Sequence, residues 1–291
     1  MFIGGLAFSG KTPLRIALSL HPRLELTRRT AMWTKYHGVG DLADPNNLDR
    51  CLNRMLADPA ILALRPDKAD ILERFGAGAP TYARLFAAIH QQHAERTGKA
   101  RWGDQMGMLE QHADRVLSWY PTARMIHMIR DPRRRFAAAS GRHRQLPGKL
   151  GWETARWRHS AELAMRNHAR FPDRYRVVRY EQLCAMPEAT LREVCAFLGE
   201  EYEPAMVAAL DHMASGHTAD GRCTDPRGAV AAFVERHATR QLRAHDYTVD
   251  DGGRRGTLPP SFYLIDTPCN TIGIAMWRIA RTARGGRQEA A

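Results

Sequence analysis

The feature that most constrains this chain is the segment GLAFSGKT, which follows a short apolar run at the N-terminus. It satisfies the pattern G-x-x-x-x-G-K-[ST], in which glycines let backbone N–H groups turn toward one bound anion. Residues 1–5 are predicted to form a buried parallel strand. Residues 13–20 are predicted to form a helix whose positive N-terminal end adds to the field at the loop. The residues predicted to bind the anion belong to the loop and the first helical turn: Gly5, Ser9, Gly10, Lys11, Thr12 and Pro13.

Apolar runs alternate with helical segments along the chain. Residues 24–26, 125–129 and 175–179 are predicted strands, and residues 46–98 have the spacing of helices. Because strands that alternate with helices form parallel sheets, this order predicts an α/β fold. We expect a P-loop-type three-layer α/β/α architecture with a central parallel sheet and additional helices.

The length and composition favour one large domain over residues 1–291. The hydrophobic content of 44% is enough for a sizeable core. The regular pattern covers residues 1–205, which we expect to be the core. The C-terminal segment, residues 206–291, has a weaker pattern and is expected to cover the bound ligands, with loops at 216–228 and 250–260.

Charge and cysteine content limit the possible partners. The net charge of +12 favours anionic partners. The five cysteines show no C-x-x-C spacing, which argues against a zinc site or a disulfide framework. The N-terminus lacks the basic region of a secretory signal, and the apolar stretch at 272–277 is too short to cross a bilayer. We therefore expect a cytoplasmic protein.

A second candidate anion site follows the strand MIHMI, which continues into RDPRRRFAAAS. Arg130 is placed at the carboxyl end of that strand, where ligands bind in open α/β sheets. Ser140 is placed on the helix that follows. The chain therefore offers two anion sites, one after each of two strands.

A nucleotide-dependent kinase or ATPase is the alternative interpretation of the first loop. Such enzymes hold a metal ion with an Asp at the end of a second strand. The only candidate is Asp131, and the neighbouring Arg130 would compete with the metal. A non-catalytic binder of nucleic acid ranks last, because the sequence contains no module of interleaved aromatic and basic residues.

Several segments, in order, resemble the sulfotransferase family. FIGGLAFSGKTPL resembles the 5′-phosphosulfate loop of the family, and HMIRDPRRRFAAAS resembles its 3′-phosphate motif. VVRYEQL is similar to the segment whose Tyr, here Tyr180, lies near the adenine. The resemblance covers about residues 1–205 and is diffuse beyond them.

The resemblance implies an enzyme that transfers a sulfuryl group from 3′-phosphoadenosine 5′-phosphosulfate to a hydroxyl group. It implies no metal and no nucleic-acid partner. The acceptor stays open between a small molecule, a glycan and a lipid. Lys11 and the loop N–H groups are expected to stabilise the charge that develops on the leaving phosphate.

Two positions depart from the family pattern. Phe8 stands where many members carry Arg or Lys, and Lys11 is expected to supply that charge instead. Ala138 stands where the family Ser usually occurs, and Ser140 lies two residues further along the helix. Ser140 remains a candidate ligand of the 3′-phosphate.

The base that would activate an acceptor hydroxyl has two candidates, His37 and Asp104. His37 lies in a loop on the same side as the end of the first strand, and a His can accept a proton near neutral pH. Its alternative is a packing or surface role. Asp104 ends a probable strand, and its alternative is a helix cap or an ion pair. His127 lies within an apolar strand and is expected to be a core residue.

Two basic segments remain. In the run Arg133, Arg134 and Arg135, one residue is expected to reach a ligand and the others to be solvated. The segment GIAMWRIARTAR is predicted to form a basic amphipathic helix. That helix either docks onto the domain or makes peripheral contact with a membrane.

Overall fold

A five-stranded parallel sheet forms the centre of the computed structural model, with the strand order β2-β3-β1-β4-β5. The structure describes residues 1–140, 146–210, 228–249 and 260–285. The strands are β1 (Phe2–Gly4), β2 (Leu24–Arg28), β3 (Arg101–Gln105), β4 (Met125–Ile129) and β5 (Tyr175–Arg179). The predicted α/β fold is confirmed, and β2 extends two residues beyond its predicted end.

Helices cover both faces of the sheet. They are α1 (Lys11–Ser19), α2 (Met32–Lys35), α3 (Pro45–Leu56), α4 (Pro59–Leu62), α5 (Lys68–Gly76), α6 (Tyr82–Arg96), α7 (Ala113–Trp119), α8 (Pro132–Ser140), α9 (Lys149–Arg170), α10 (Tyr180–Ala185), α11 (Pro187–Leu198), α12 (Ala229–Ala244) and α13 (Thr267–Gly285). A 3₁₀ turn (Leu109–His112) precedes α7, and a π-helical turn (Phe262–Asp266) leads into α13. Across the described residues, every helix is too short or too polar to serve as a membrane span.

Breaks in the helical region 46–98 coincide with prolines. Pro59 occupies the first turn of α4, with Asp58 as its N-cap. Pro has no N–H to continue a helix, so it is tolerated only at such a start. The predicted loops at 216–228 and 250–260 fall almost entirely outside the described residues.

Successive residues of the central strands pack into two separate hydrophobic cores, one on each face of the sheet. Because helices cover both cores, the fold has three layers. Phe2 and Met125 pack with α2–α7 on one face, whereas Ile3 and Ile126 pack with α1 and α11 on the other. Because neighbouring side chains of a strand point to opposite faces, a strand buried on both faces must be mainly apolar. This constraint explains why the apolar runs were visible in the sequence.

The last helix, α13, is held against α9 by close backbone contact. A Cβ atom built on Gly151 would lie 2.1 Å from the carbonyl oxygen of Asp266, and one built on Gly273 would lie 2.7 Å from the Cβ of Ala155. The side chain of Asp266 also accepts a hydrogen bond from the N–H of Gly151 at 2.9 Å. Glycines at these two positions therefore set the distance between the two helices.

We expect Gly151→Ala to lower the free energy of unfolding by roughly 1–3 kcal/mol, because the new methyl group would collide with backbone and not with a movable side chain. Gly76→Ala, in α5, is the matched control, since no atom lies within 4 Å of its built Cβ. Urea unfolding monitored by circular dichroism measures both. Equal stabilities of the two variants would show that α13 does not need this close approach.

Candidate active site

Three adjacent strands end at one edge of the sheet and place the predicted anion-binding segments side by side. The loop after β1 begins at Gly5, Arg130 follows β4, and Tyr180 follows β5. The sheet order puts β4 between β1 and β5. The two predicted anion sites therefore share one edge, which is where parallel sheets bind ligands.

The loop between β1 and α1 is a tight turn that only particular residues can form. Gly5 has φ +118°, and a Cβ built on it would lie 2.3 Å from the carbonyl oxygen of Met128. Phe8 adopts the left-handed conformation with φ +63°, which is uncommon for a residue with a Cβ. The hydroxyl of Ser9 donates to the carbonyl oxygen of Leu6 at 2.8 Å and closes the turn.

The N-terminus of α1 is open to a ligand. Gly10 precedes the helix and has no side chain to cap it, and none of the residues in the first turn is acidic. Thr12 is exposed there. First-turn N–H groups have no partner within their own helix, so this end can bind an anion.

Lys11 is buried within the loop. Its ammonium group donates to the carbonyl oxygen of Leu6. Burial lowers the pKa of Lys11 to about 8, although the nearby carboxylate of Glu110 acts in the opposite direction. The positive charges of Arg135 and Arg156 lower the pKa further. Lys11 is therefore still mainly protonated at pH 7.

The ring of Tyr180 contacts both anion-binding segments. A Cβ built on Gly10 would lie 2.1 Å from the Cδ2 atom of this ring, so only glycine fits. The guanidinium carbon of Arg130 lies 4.6 Å from the centroid of the same ring. Arg130 also donates to the carbonyl oxygen of Phe8 at 3.2 Å. Gly10 and Arg130 thus meet at one place.

Arg130 keeps hydrogen-bonding capacity for a ligand. Its Nε atom is buried without a hydrogen-bond partner among the described residues. An unpaired buried donor is costly unless something binds it. The backbone of Arg130 is fixed independently, because the indole N–H of Trp157 donates to its carbonyl oxygen at 2.9 Å.

A buried carboxylate that was not predicted from the sequence lies beneath the loop. Glu110 is fully buried and accepts hydrogen bonds from the N–H of Gly5 at 2.8 Å and from the hydroxyl of Ser160 at 2.7 Å. Burial opposes its ionisation, yet His127, Ser160 and Gly5 together hold the pKa of Glu110 below its ordinary value. A single Glu in a helical segment resembles a surface residue, so no sequence pattern indicated that Glu110 is buried.

His127 belongs to the same network, as its position in an apolar strand suggested. Its Nδ1 lies 2.8 Å from the hydroxyl of Tyr175, and its Nε2 lies 3.1 Å from the hydroxyl of Ser160. Burial lowers the pKa of His127 to about 4, so the imidazole is neutral at physiological pH. It is a hydrogen-bonded core residue.

The prediction that most of the arginine run is solvated is wrong for Arg133 and Arg135. Both side chains are buried. Each can be buried because it pairs with an acidic residue. Arg133 pairs with Asp131 at 2.7 Å, and Arg135 pairs with Glu153 at 2.6 Å. Arg135 also donates to the carbonyl oxygen of Ala7 at 3.3 Å, which brings its charge to the loop.

The two candidate bases lie in other surroundings. The ring of His37 contacts Tyr82 and Trp119, with centroid distances of 5.0 Å and 5.2 Å. Burial lowers the pKa of His37, so it is neutral near pH 7. An open cavity of about 440 Å³ borders the same two rings. Among the contacts of the described residues, none joins His37 to Lys11.

Asp104 is fully buried in β3. Its two carboxylate oxygens accept hydrogen bonds from Thr27 at 2.9 Å and from Thr30 at 2.6 Å. Both oxygens are therefore occupied by protein donors. Ser140 is the last residue of α8, and its side chain lies outside the described residues.

Comparison with known proteins gives a family match and structural likenesses. The family model described as "Sulfotransferase family" matches residues 1–204. The sulfotransferase domain from the curacin biosynthetic pathway is 16% identical, with coverage of 85% of this chain and 97% of that chain and a TM-score of 0.51. Sulfotransferase STF9 from Mycobacterium avium is 15% identical, with coverage of 86% and 77% and a TM-score of 0.50. These likenesses support the fold. No curated protein matches the chain.

The lowered pKa of Lys11 predicts how anion binding depends on pH. Sulfate keeps a constant charge between pH 6 and 10, so its affinity should fall as pH rises through about 8, where Lys11 loses its proton. Glu110→Gln removes the charge that raises the pKa of Lys11 and should move this fall to lower pH, with affinity at pH 8 reduced roughly threefold or more. Isothermal titration calorimetry with sodium sulfate measures the profile.

Glu188→Gln, in an exposed helical ion pair with Arg192, is the matched control and should leave the profile unchanged. Identical profiles for Glu110→Gln and the wild type would show that Glu110 does not act on Lys11.

Proposed function

Because the chain belongs to the sulfotransferase family, we propose that it transfers a sulfuryl group from 3′-phosphoadenosine 5′-phosphosulfate to a hydroxyl group of an acceptor. One observation carries the choice of donor. The loop at Gly10 and the guanidinium of Arg130 both contact one ring, that of Tyr180. An adenosine nucleotide with phosphates at its 5′ and 3′ positions presents two anions to two such neighbouring sites.

The residues at this edge fit such a nucleotide. The open N-terminus of α1, Lys11 and Thr12 are proposed to bind the 5′-phosphosulfate. Arg130, with its unpaired buried Nε, is proposed to bind the 3′-phosphate. Tyr180 is proposed to lie near the adenine. Ser140 remains a proposed second ligand of the 3′-phosphate.

The residues of the loop would act mainly through charge and position. The donor supplies an activated sulfuryl group whose leaving group is a phosphate. We propose that Lys11 and the first-turn N–H groups stabilise the charge that this phosphate gains, and because they are held in place before the reaction they cost no reorganisation. Arg135 adds positive charge beside Ala7. Lys11 and Arg135 are thereby proposed to supply the positive charge that many family members carry at the position of Phe8.

The kinase alternative is disfavoured by the state of Asp131. Its Oδ1 accepts hydrogen bonds from the backbone N–H and from Nε of Arg133, both at 2.9 Å, and its Oδ2 accepts one from Nη2 of Arg133 at 2.7 Å. A carboxylate paired in this way is poorly suited to hold a metal ion. Arg130 was expected to compete with a metal ion for Asp131, but the arginine that pairs with Asp131 is Arg133.

We propose His37 in preference to Asp104 as the base that accepts the proton of the acceptor hydroxyl. A neutral imidazole can take up a proton, and the cavity beside Tyr82 and Trp119 offers space for an acceptor. Asp104 has both oxygens occupied. The acceptor is proposed to be a small molecule, a glycan or a lipid, and a cytoplasmic location is part of the proposal.

The two phosphate sites can be separated by comparing two nucleotides. Wild-type protein should bind adenosine 3′,5′-bisphosphate more tightly than adenosine 5′-monophosphate. Arg130→Met should reduce bisphosphate affinity roughly 10- to 100-fold, since a charge-assisted hydrogen bond is lost, and should leave monophosphate affinity nearly unchanged. Lys11→Met should weaken both nucleotides alike. Isothermal titration calorimetry measures all six affinities.

Arg192→Met, in an exposed ion pair, is the control for loss of a positive charge. Equal weakening of both nucleotides by Arg130→Met would remove Arg130 from the 3′-phosphate site. Failure of the wild type to bind the bisphosphate, together with ATP hydrolysis that a chelator abolishes, would favour the kinase alternative.

The role of His37 is tested with whichever phenol, sugar or lipid alcohol in a panel accepts labelled sulfate. We expect His37→Gln to lower kcat roughly 100-fold or more while bisphosphate affinity stays unchanged. Because burial lowers the pKa of His37, the wild-type rate should rise with pH through a value below that of an ordinary His, and the variant should lack this rise. A kcat within about twofold of wild type would place the base elsewhere.

A further inference from the structure

The outer side of α13 exposes an unusual concentration of large apolar side chains. The apolar face is defined by residues of α13 and the turn before it: Leu264, Ile265, Ile272, Met276 and Ile279. Their exposed fractions run from 38% for Ile265 to 76% for Leu264. With the neighbouring Tyr263, they make up six of the twelve exposed large hydrophobic residues in the described part of the chain. Exposed apolar residues gathered in this way mark an interaction surface.

The helix cannot turn to bury this face, because its opposite side is already packed. Gly273 lies against Ala155 of α9, and the indole of Trp277 stacks on His159 with centroids 5.3 Å apart. Asp266 fixes the start of the helix through its bond to Gly151. A helix that is apolar on both sides is expected between two apolar environments. One is the domain, and the other lies outside it.

The charges in the sequence of α13 and on the neighbouring α12 favour an anionic partner. The sequence of α13 contains Arg278, Arg281 and Arg284 and no acidic residue. On the neighbouring α12, the guanidinium of Arg236 lies 5.5 Å from the ring centroid of Tyr263. The nearby Asp266 is buried and bonded. A second copy of this chain would bring like charges together, whereas an anionic surface would complement them.

We propose that the apolar face of α13 inserts into the surface layer of an anionic membrane, with the helix lying in the plane of that surface. α13 packs lengthwise along α9, so the whole face is presented at once and no part of the helix needs to leave the domain. A helix of this length presents a strip of about 28 Å. Exposed bulky aliphatic side chains combined with arginines are typical of helices that bind at the interface without spanning it.

Sedimentation with lipid vesicles tests the proposal on the full chain and needs neither donor nor acceptor. We expect binding to phosphatidylcholine vesicles that contain about one third phosphatidylglycerol, weakened by salt, and much weaker binding to pure phosphatidylcholine. The triple variant Ile272→Ser, Met276→Ser and Ile279→Ser should reduce the partition coefficient roughly 30-fold or more. The matched control is a second triple variant, Leu20→Ser, Leu62→Ser and Leu72→Ser, which changes three leucines exposed elsewhere on the molecule. This control should bind vesicles as the wild type does.

A second variant keeps the test independent of packing. Arg281→Gln with Arg284→Gln leaves the apolar side chains in place and should selectively weaken binding to the anionic vesicles. Absence of vesicle binding by the wild type would overturn the proposal, as would equal binding by the triple variant or equal binding to both kinds of vesicle. Sedimentation velocity without vesicles tests whether a second copy of the chain binds the apolar face instead. A wild-type dimer that the triple variant converts to a monomer would assign the face to a second copy and overturn the membrane proposal.

Discussion

The hydrogen bond from the N–H of Gly5 to the carboxylate of Glu110 holds the anion-binding loop to the rest of the molecule. It places a buried negative charge directly under a site that must attract anions. Burying a carboxylate is costly unless it is well paired, and here Ser160 and Gly5 supply donors while the charge of Lys11 lies close by. Glu110 thus fixes the start of the loop and keeps Lys11 protonated, and its own charge is offset locally.

Because Lys11 and Glu110 largely offset each other, further positive charge must come from outside the loop. Arg130, at the end of β4, donates a hydrogen bond to the carbonyl oxygen of Phe8. Arg135, on α8, donates one to the carbonyl oxygen of Ala7. Both bonds run to loop carbonyl oxygens, so both arginines also restrain the backbone that binds the ligand. Phe8 can therefore occupy its place in the loop without leaving the site short of charge.

The fold was predictable from the sequence wherever one local requirement dominates. β4 was placed at its observed bounds because a strand buried on both faces stands out from its polar neighbours, and β5, which is only partly buried, was also placed at its observed bounds. Gly5 and Gly10 were identified because the turn needs residues without a Cβ. Family membership, too, could be anticipated from the order of three short motifs.

Tertiary contacts set the limit of that prediction. Glu110 and Arg135 look like surface residues in sequence, and only the packing of α8 and α9 against the loop shows that they are buried and paired. The contact of Tyr180 with Gly10 depends on β5 lying next to β4, which no local pattern specifies. In sequence, Asp104 resembles a free carboxylate at a strand end. In the structure both of its oxygens accept hydrogen bonds, from Thr27 of β2 and from Thr30 in the segment after β2.

Helix α9 connects the site to the face proposed to contact a membrane. On one side of α9, Trp157 donates a hydrogen bond to the carbonyl oxygen of Arg130, and Ser160 donates one to the carboxylate of Glu110. On another side, Gly151 and Ala155 receive α13 at backbone distance. Packed helices transmit position because their close contacts leave no room for independent sliding. A surface that binds α13 would therefore also fix the orientation of the edge where Arg130 and the loop meet, and an acceptor anchored in that surface would approach the site from a constant direction.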